Sequence, residues 1–109
     1  MIKQINKTVE YLKEKGFDQP EVGIILGTGL GKLTDELEVI QEVSYNHIPN
    51  FPTATVEFHK GKLIYGTLAG KKVIVMQGRF HLYEGYSLQD VTYPVRIMEK
   101  LGIKTLLVS

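Results

Sequence analysis

Two stretches of this 109-residue chain carry residue types that could do chemistry, and the first is the glycine-rich run GTGLG at 27–31. It follows a continuous apolar run, Val22–Leu26, and precedes a short helical pattern over 32–37. Glycines at such a turn let successive backbone N–H groups point into one concavity where an anion can bind, and Thr28 adds a hydroxyl donor. The spacing matches neither the dinucleotide-binding glycine motif nor the phosphate loop of nucleoside-triphosphate enzymes. The run therefore predicts either an anion site or a strand-to-helix turn that needs glycine for geometry alone.

The second stretch, QGRFHLYEGY at 77–86, follows another apolar run and has no clean period, so it predicts a loop. The guanidinium of Arg79 offers a planar fork that matches phosphate or carboxylate oxygens. His81 lies two residues further on, so both side chains point to the same side of an extended segment. Glu84 could hold the proton on a nearby imidazole and raise its basicity. Because open α/β sheets bind ligands beyond the carboxyl ends of their strands, we favour a binding site here over a solvent-exposed Arg–Glu pair.

The other candidate residues make weaker cases. His59 stands beside a glycine just before a strand, and His47 lies in a proline-containing loop at 47–52, where histidine is ordinarily a surface turn residue. The chain has no cysteine, and its three histidines lack metal-binding spacing, so no metal site is predicted. Ser109 lacks the glycine context of a nucleophile elbow.

The elements that must position these residues alternate between helix and strand. Apolar residues recur at helical spacing at Ile2, Ile5, Val9 and Leu12, and Gly16 is placed to end that helix. Strands are predicted over 22–26, 39–45, 62–68, 72–76 and 103–109, with a tight turn at 69–71. The alternation predicts an α/β fold, a mixed β-sheet flanked by helices.

A second helix is predicted after the 77–86 loop. A capping-box pattern at 87–90 opens it, and Gly102 is placed to end it. Its predicted inward face consists of Val91, Val95, Met98 and Leu101. Pro94 interrupts the pattern, so the helix either bends there or begins only at Thr92 or Tyr93.

Composition narrows the class of protein. Thirteen Lys and Arg residues against twelve Asp and Glu residues give a net charge of +1, which argues against a polybasic nucleic-acid binder and against an acidic tail. Hydrophobic residues make up 43% and charged residues 23%, as in an ordinary folded domain. No apolar run approaches the roughly 20 residues that a membrane-spanning helix needs, and the first residues lack a signal-peptide pattern. We therefore expect a cytoplasmic protein with neither nucleic acid nor membrane as a partner.

Four motifs occur in the order GIILGTGLG (23–31), TVEFHKG (55–61), MQGRFHLYEGY (76–86) and YPVRIMEKLG (93–102). Together they resemble the N-terminal part of purine nucleoside phosphorylases of the trimeric, mammalian-like class. The resemblance covers essentially the whole chain, and GRFHLYEGY is its specific part. It implies a phosphorylase/hydrolase-like fold and phosphorolysis of purine nucleosides to free base and ribose 1-phosphate, a purine salvage reaction. It also implies a homotrimer without a cofactor, since inorganic phosphate is a co-substrate.

The resemblance also implies roles for individual residues. Thr28 replaces the common serine at the phosphate-binding position of the glycine loop. The phosphate-binding set is Thr28, His59, Arg79, Phe80 and His81, with Phe80 contributing mainly its backbone. Tyr83 corresponds to the tyrosine that contacts the ribose. Glu84 supports the clamp histidine, His81, in catalysis.

In this family the strand that corresponds to 105–109 leads into a further phosphate loop, and the groups that bind the purine lie beyond it. We therefore expect residues 1–109 to be the N-terminal segment of a single phosphorylase domain, truncated after an early core strand and inactive by itself. Two alternatives stay open. One is a phosphate- or anion-binding module without catalysis. The other is an interaction fragment whose last strand pairs or swaps between copies.

Overall fold

The computed structural model describes residues 2–26, 35–51, 61–77 and 88–108. Its elements are α1 (Ile2–Glu14), β1 (Val22–Leu26), β2 (Glu38–Ser44), a 3₁₀ turn (Tyr45–His47), β3 (Lys62–Leu68), β4 (Lys71–Gln77), α2 (Leu88–Leu101) and β5 (Thr105–Val108). The described strands form a five-stranded sheet in the order β2-β3-β4-β1-β5. β1 pairs in parallel with β4 and β5, whereas β3 pairs antiparallel with β2 and β4. The predicted α/β fold with a mixed sheet is confirmed.

Helix α1 packs on one face of the sheet, as its periodicity predicts. Ile5, Val9 and Leu12 are buried, and Gly16 follows the helix with φ +97°. Ile2 was predicted to share this face, and that prediction is wrong, because the side chain is 74% exposed. Ile2 is the first residue of α1 and lies almost a full turn before the first buried residue, so its apolar side chain extends past the core.

Helix α2 covers the same face but is rotated relative to the prediction. It begins at Leu88 and contains Pro94, so of the two alternatives the start at Thr92 or Tyr93 is excluded. The core-facing side chains include Met98 and Leu101, as predicted, whereas Val95 is only half-buried. Tyr93 and Ile97 are also buried, because the helix turns this neighbouring stripe toward α1 and the sheet. The proposed cap at Ser87 and the side chain of Val91 lie outside the described residues.

The opposite face of the sheet is also apolar. Ile24, Leu26, Ile64, Val73 and Val75 are buried there, together with Leu37. This agrees with the continuous apolar run predicted to make β1 a strand covered on both faces. Of the short helix predicted for 32–37, only 35–37 are described, and Asp35 and Glu36 are helical.

The two edges of the sheet differ in chemistry. The predicted strand at β2 is confirmed, although Val43 is its only buried residue. β2 carries Glu38 and Glu42, and its pairing with β3 shifts register between Val39 and Gln41. β5 is also confirmed as a strand, shorter than predicted, and all four of its residues are exposed and uncharged. Within the described ranges, no helix is long and apolar enough to cross a membrane.

The hairpin between β3 and β4 confirms the predicted tight turn, with a loop of two residues. Leu68 pairs with Lys71, and the intervening Ala69 and Gly70 both have positive φ, 51° and 81°. Positive φ at both central positions is the requirement of a type I′ turn, which matches the right-handed twist of the strands. Alanine at the first position is strained, because its Cβ approaches the following carbonyl oxygen.

Two substitutions in this turn should act in opposite directions. Ala69→Asn should raise the free energy of unfolding by about 1 kcal/mol, because asparagine tolerates positive φ better than alanine. Gly70→Ala should lower it by about 1 kcal/mol through backbone strain alone, since no atom lies within 4 Å of the added Cβ. Urea denaturation measures both changes, and equal values for the two variants would contradict the turn assignment.

Candidate functional site

All seven site residues named from the sequence lie outside the described residues. Thr28 belongs to 27–34, His59 to 52–60, and Arg79, Phe80, His81, Tyr83 and Glu84 to 78–87. Their roles therefore stay predictions. What the structure does fix is where the chain enters and leaves each of these three segments.

All three segments adjoin the same end of the sheet, the one at which β1 and β4 finish; it is called the carboxyl edge below and is distinct from the edge strands β2 and β5. Leu26, the last residue of β1, is the parallel partner of Gln77, the last residue of β4. Lys62, the first residue of β3, is the antiparallel partner of the same Gln77. Segment 27–34 therefore begins beside segment 78–87, and segment 52–60 reaches β3 at the neighbouring position. This is the carboxyl edge of β1 and β4, where ligands bind in open α/β sheets.

The side chains on this edge are of mixed polarity. Leu26 is 5% exposed, whereas Gln77 and Lys62 are half-buried. Lys62 Nζ lies 3.3 Å from Glu42 Oε2, and both side chains are substantially exposed. Such a surface ion pair contributes little to stability, so the Lys62 ammonium is held only weakly.

Tyr45 follows β2 at this edge and is 2% exposed. Its backbone N–H donates to the Gly61 carbonyl at 3.1 Å, and its ring centroid lies 5.1 Å from that of Phe51. A Cβ at Gly61 would overlap the Cδ2 and Cε2 atoms of the Tyr45 ring, so only glycine permits this approach. The sequence analysis missed this arrangement. The glycine of the FHKG motif could have signalled it, but no local pattern names the ring that glycine meets.

A buried hydroxyl pair fixes the chain between Tyr45 and Phe51. Thr8, on α1, is fully buried, and its Oγ1 lies 2.6 Å from the Pro49 carbonyl oxygen and 3.0 Å from that of Gln4. Carbonyls only accept, so the single hydroxyl hydrogen of Thr8 is shared between them, with the shorter bond to Pro49. Tyr93 then donates its phenolic hydrogen to Thr8 at 2.8 Å. The signal for Thr8 was present in the sequence, since it lies between Ile5 and Leu12 on the buried stripe of α1.

The remaining candidates contribute little to this edge. His47 ends the 3₁₀ turn and is exposed. Among the residues the structure describes, no three His, Cys, Asp or Glu side chains are grouped so as to hold a metal ion. Ser109 lies outside the described residues.

Removing the Thr8 hydroxyl should destabilise the fold. Thr8→Val keeps the shape but leaves the Pro49 carbonyl and the Tyr93 hydroxyl without this partner in the core. The free energy of unfolding should fall by about 2 kcal/mol. Thr92→Val is the matched control, because Thr92 Oγ1 donates to Leu88 O at 2.9 Å on the exposed surface of α2. That variant should change stability by no more than about 0.5 kcal/mol in urea denaturation. Equal losses would show that burial of the Thr8 network does not matter.

Stability should also fall in alkali because of Tyr45. Burial raises the pKa of its phenol above the ordinary value of 10.0, so the folded chain keeps a proton that the unfolded chain loses. This contribution is complete below about pH 10, and above it the free energy of unfolding falls by up to about 1.4 kcal/mol per pH unit. Tyr45→Phe should flatten the dependence between pH 10 and pH 11 (about one unit above the reference value), as measured by urea denaturation. Ile97→Val, which perturbs the buried core without removing a titrating group, should keep the wild-type slope. Identical slopes for wild type and Tyr45→Phe would contradict the assignment.

Comparison with known proteins gives the site its context. A purine nucleoside phosphorylase of Geobacillus stearothermophilus is 53% identical over 105 residues, which are 96% of this chain and 38% of that protein. That of Rattus norvegicus is 50% identical over 103 residues, 94% of this chain and 36% of that protein. A solved purine nucleoside phosphorylase in complex with ribose 1-phosphate superposes with a TM-score of 0.85 at 50% identity, covering 98% of this chain and 39% of that one.

The chain thus spans about two fifths of the length of the relatives it matches. The family model described as "Phosphorylase superfamily" matches residues 21–109, from the residue before β1 through all five strands and α2. With that match over most of the chain, and with structural relatives of the same fold, the chain belongs to the phosphorylase superfamily.

Proposed function

We propose that the protein carrying this chain is a purine nucleoside phosphorylase. In the reaction a phosphate oxygen forms a bond to the anomeric carbon of the ribose. The glycosidic bond breaks, and its electron pair leaves with the purine, which takes up a proton. The products are the free base and ribose 1-phosphate. The observation that carries the proposal is about 50% identity, over nearly the whole chain, to enzymes of that name, one of them solved with ribose 1-phosphate.

The phosphate side of the site is proposed to come from this chain. Thr28 and Arg79 each lie two residues past the paired strand ends Leu26 and Gln77, and His59 lies two residues before Gly61. Consecutive Cα atoms are 3.8 Å apart, so each lies within about 8 Å of its anchoring residue along the chain. This proximity supports a phosphate site formed by Thr28, His59, Arg79, Phe80 and His81.

Tyr83 and Glu84 follow in the same segment as Arg79, which suits the neighbouring roles proposed for them. Tyr83 contacts the ribose, and Glu84 holds His81 in the orientation and protonation state that phosphate binding needs.

These residues would act by position and charge rather than by covalent chemistry. Phosphate is the nucleophile, so the reaction needs no nucleophilic side chain and no cofactor. Fixed cationic and hydroxyl donors hold the dianion against the anomeric carbon while positive charge develops on the ribose. Alignment of this kind supplies on the order of 7–11 kcal/mol of barrier reduction.

The purine side of the site is proposed to lie outside these 109 residues, as the family resemblance implies. The isolated chain should then bind phosphate but not cleave nucleosides. By the same resemblance the intact protein is a homotrimer that acts in purine salvage in the cytoplasm.

Substitution of Arg79 tests the proposed function in the intact protein. Arg79→Ala should lower kcat/KM for inosine phosphorolysis by about 10- to 100-fold, because it removes a charge-assisted hydrogen bond to phosphate. Release of hypoxanthine in the presence of inorganic phosphate is the measurement. Arg96→Ala is the matched control, since Arg96 is exposed on α2, and it should retain wild-type kinetics.

Two outcomes would overturn the proposal. Wild-type protein that releases no base from inosine or guanosine would exclude the activity. Arg79→Ala with the kinetics of Arg96→Ala would exclude the phosphate role of Arg79.

A further inference from the structure

Segment 52–60 is bracketed by two residues that contact the same side chain, Tyr45. Phe51, just before the segment, stacks on the Tyr45 ring at 5.1 Å with the planes tilted by 41°. Gly61, just after it, lies so close to the other part of that ring that a Cβ would overlap it, and its carbonyl accepts the Tyr45 N–H. The two contacts with Tyr45, at Phe51 and at Gly61, are thus separated by the nine residues of segment 52–60.

Tyr45 is well placed to fix both ends of segment 52–60, because its own backbone is held by hydrogen bonds. It begins the 3₁₀ turn directly after β2, and the side chain of Ser44 accepts the Asn46 N–H at the start of that turn. The Ile48 N–H donates to the Tyr45 carbonyl, and the Phe51 N–H donates to the Ile48 carbonyl, both at 3.2 Å. The backbone of Tyr45 is therefore held in the turn, and its ring is buried in the core.

Phe51 is held from a second direction. Its ring meets that of Tyr93 edge-on at 6.1 Å. The Tyr93 hydroxyl donates to Thr8, which in turn donates to the carbonyl of Pro49, two residues before Phe51. Residues of α1 and α2 thus contact Pro49 and Phe51, which lie just before segment 52–60, and hold them near Tyr45.

We propose that Tyr45 is a positioning residue for phosphate binding, because its ring contacts Phe51 and lies against Gly61, the two described residues on either side of the segment that carries His59. This inference rests on the proposed function, in which His59 contacts phosphate. Tyr45 touches neither phosphate nor nucleoside in this scheme. A displacement of about 1 Å in a binding group can cost on the order of 100-fold in rate, so the anchor matters for catalysis.

The test compares three variants of the intact protein. Tyr45→Leu removes the ring, and Tyr45→Phe keeps it. Phe17→Leu is the matched control, because Phe17 is a fully buried aromatic of the same core cluster whose ring packs on Tyr65 of β3 at 5.4 Å. Two readouts are taken: KM for phosphate and for inosine, and amide hydrogen exchange of residues 52–60 by mass spectrometry, which needs no activity.

Tyr45→Leu should raise KM for phosphate by about 10-fold, with KM for inosine changed by less than about two-fold, and should speed exchange in 52–60. Tyr45→Phe should restore both readouts. Phe17→Leu should leave both near wild type despite its lower stability. Should Tyr45→Leu fail to fold, Gly61→Ala keeps Tyr45 but displaces its ring, and it should show the same split in KM.

Three results would overturn the inference: wild-type phosphate KM and exchange in folded Tyr45→Leu, an equal rise of phosphate KM in Phe17→Leu, or failure of Tyr45→Phe to restore either readout. Wild-type protein without phosphorolysis would defeat the proposed function instead. In that case unchanged exchange in Tyr45→Leu would still overturn the anchoring role.

Discussion

The parallel pairing of β1 with β4 is the constraint on which the rest of the structure depends. Because parallel strands end at the same edge, it brings Leu26 and Gln77 side by side although they are far apart in sequence. The antiparallel start of β3 at Lys62 then joins the same edge. The three segments that carry the glycine run at 27–31, His59 and the Arg79–His81 pair therefore adjoin the same edge of the sheet. A one-residue slip in this register would turn every side chain of β1 to the opposite face and would put Val22 or Ile24 at the place of Gly23, where even an added Cβ would lie 2.8 Å from Met98 Sδ.

The two faces are stabilised in different ways. One face packs on α1 and α2 in a cluster that contains Tyr45, Phe51, Tyr93 and Met98, and the buried hydroxyl of Thr8 links both helices to the turn after β2. The other face is aliphatic, with Ile24, Val73 and Val75 at its centre. Burial of apolar surface supplies most of the stability on both faces, and hydrogen bonds in the first select a single arrangement. The side of the fold with the polar network is also the side that holds the ends of segment 52–60.

Sequence patterns correctly predicted the features that depend on local chemistry. The apolar runs of β1, β3 and β4, the turn at Ala69-Gly70 and the helix-ending glycines follow from spacing and backbone freedom, and the structure has them. The exposure of Ile2 and the burial of Tyr93 and Ile97 were not predicted, because they depend on which neighbouring element covers a helix face. The same holds for the Gly61–Tyr45 contact. Thr28, Arg79, His81 and Glu84 were named from residue chemistry and spacing, whereas Phe80, Tyr83 and the individual roles came from the family resemblance. The geometry of all these residues lies outside the described residues.

The position of β1 in the sheet has a consequence for synthesis on the ribosome. β1 precedes β2 and β3 in the chain, whereas its partners β4 and β5 follow them. At 5–20 residues per second, roughly 3–10 seconds separate the completion of β1 from that of β4. Throughout that interval the native partner strand β4 of β1 is not yet complete, whereas β3 and β4 can close their hairpin as soon as both exist. The nascent chain therefore presents an unpaired apolar segment early, which is the kind of surface that chaperones bind and that aggregation exploits.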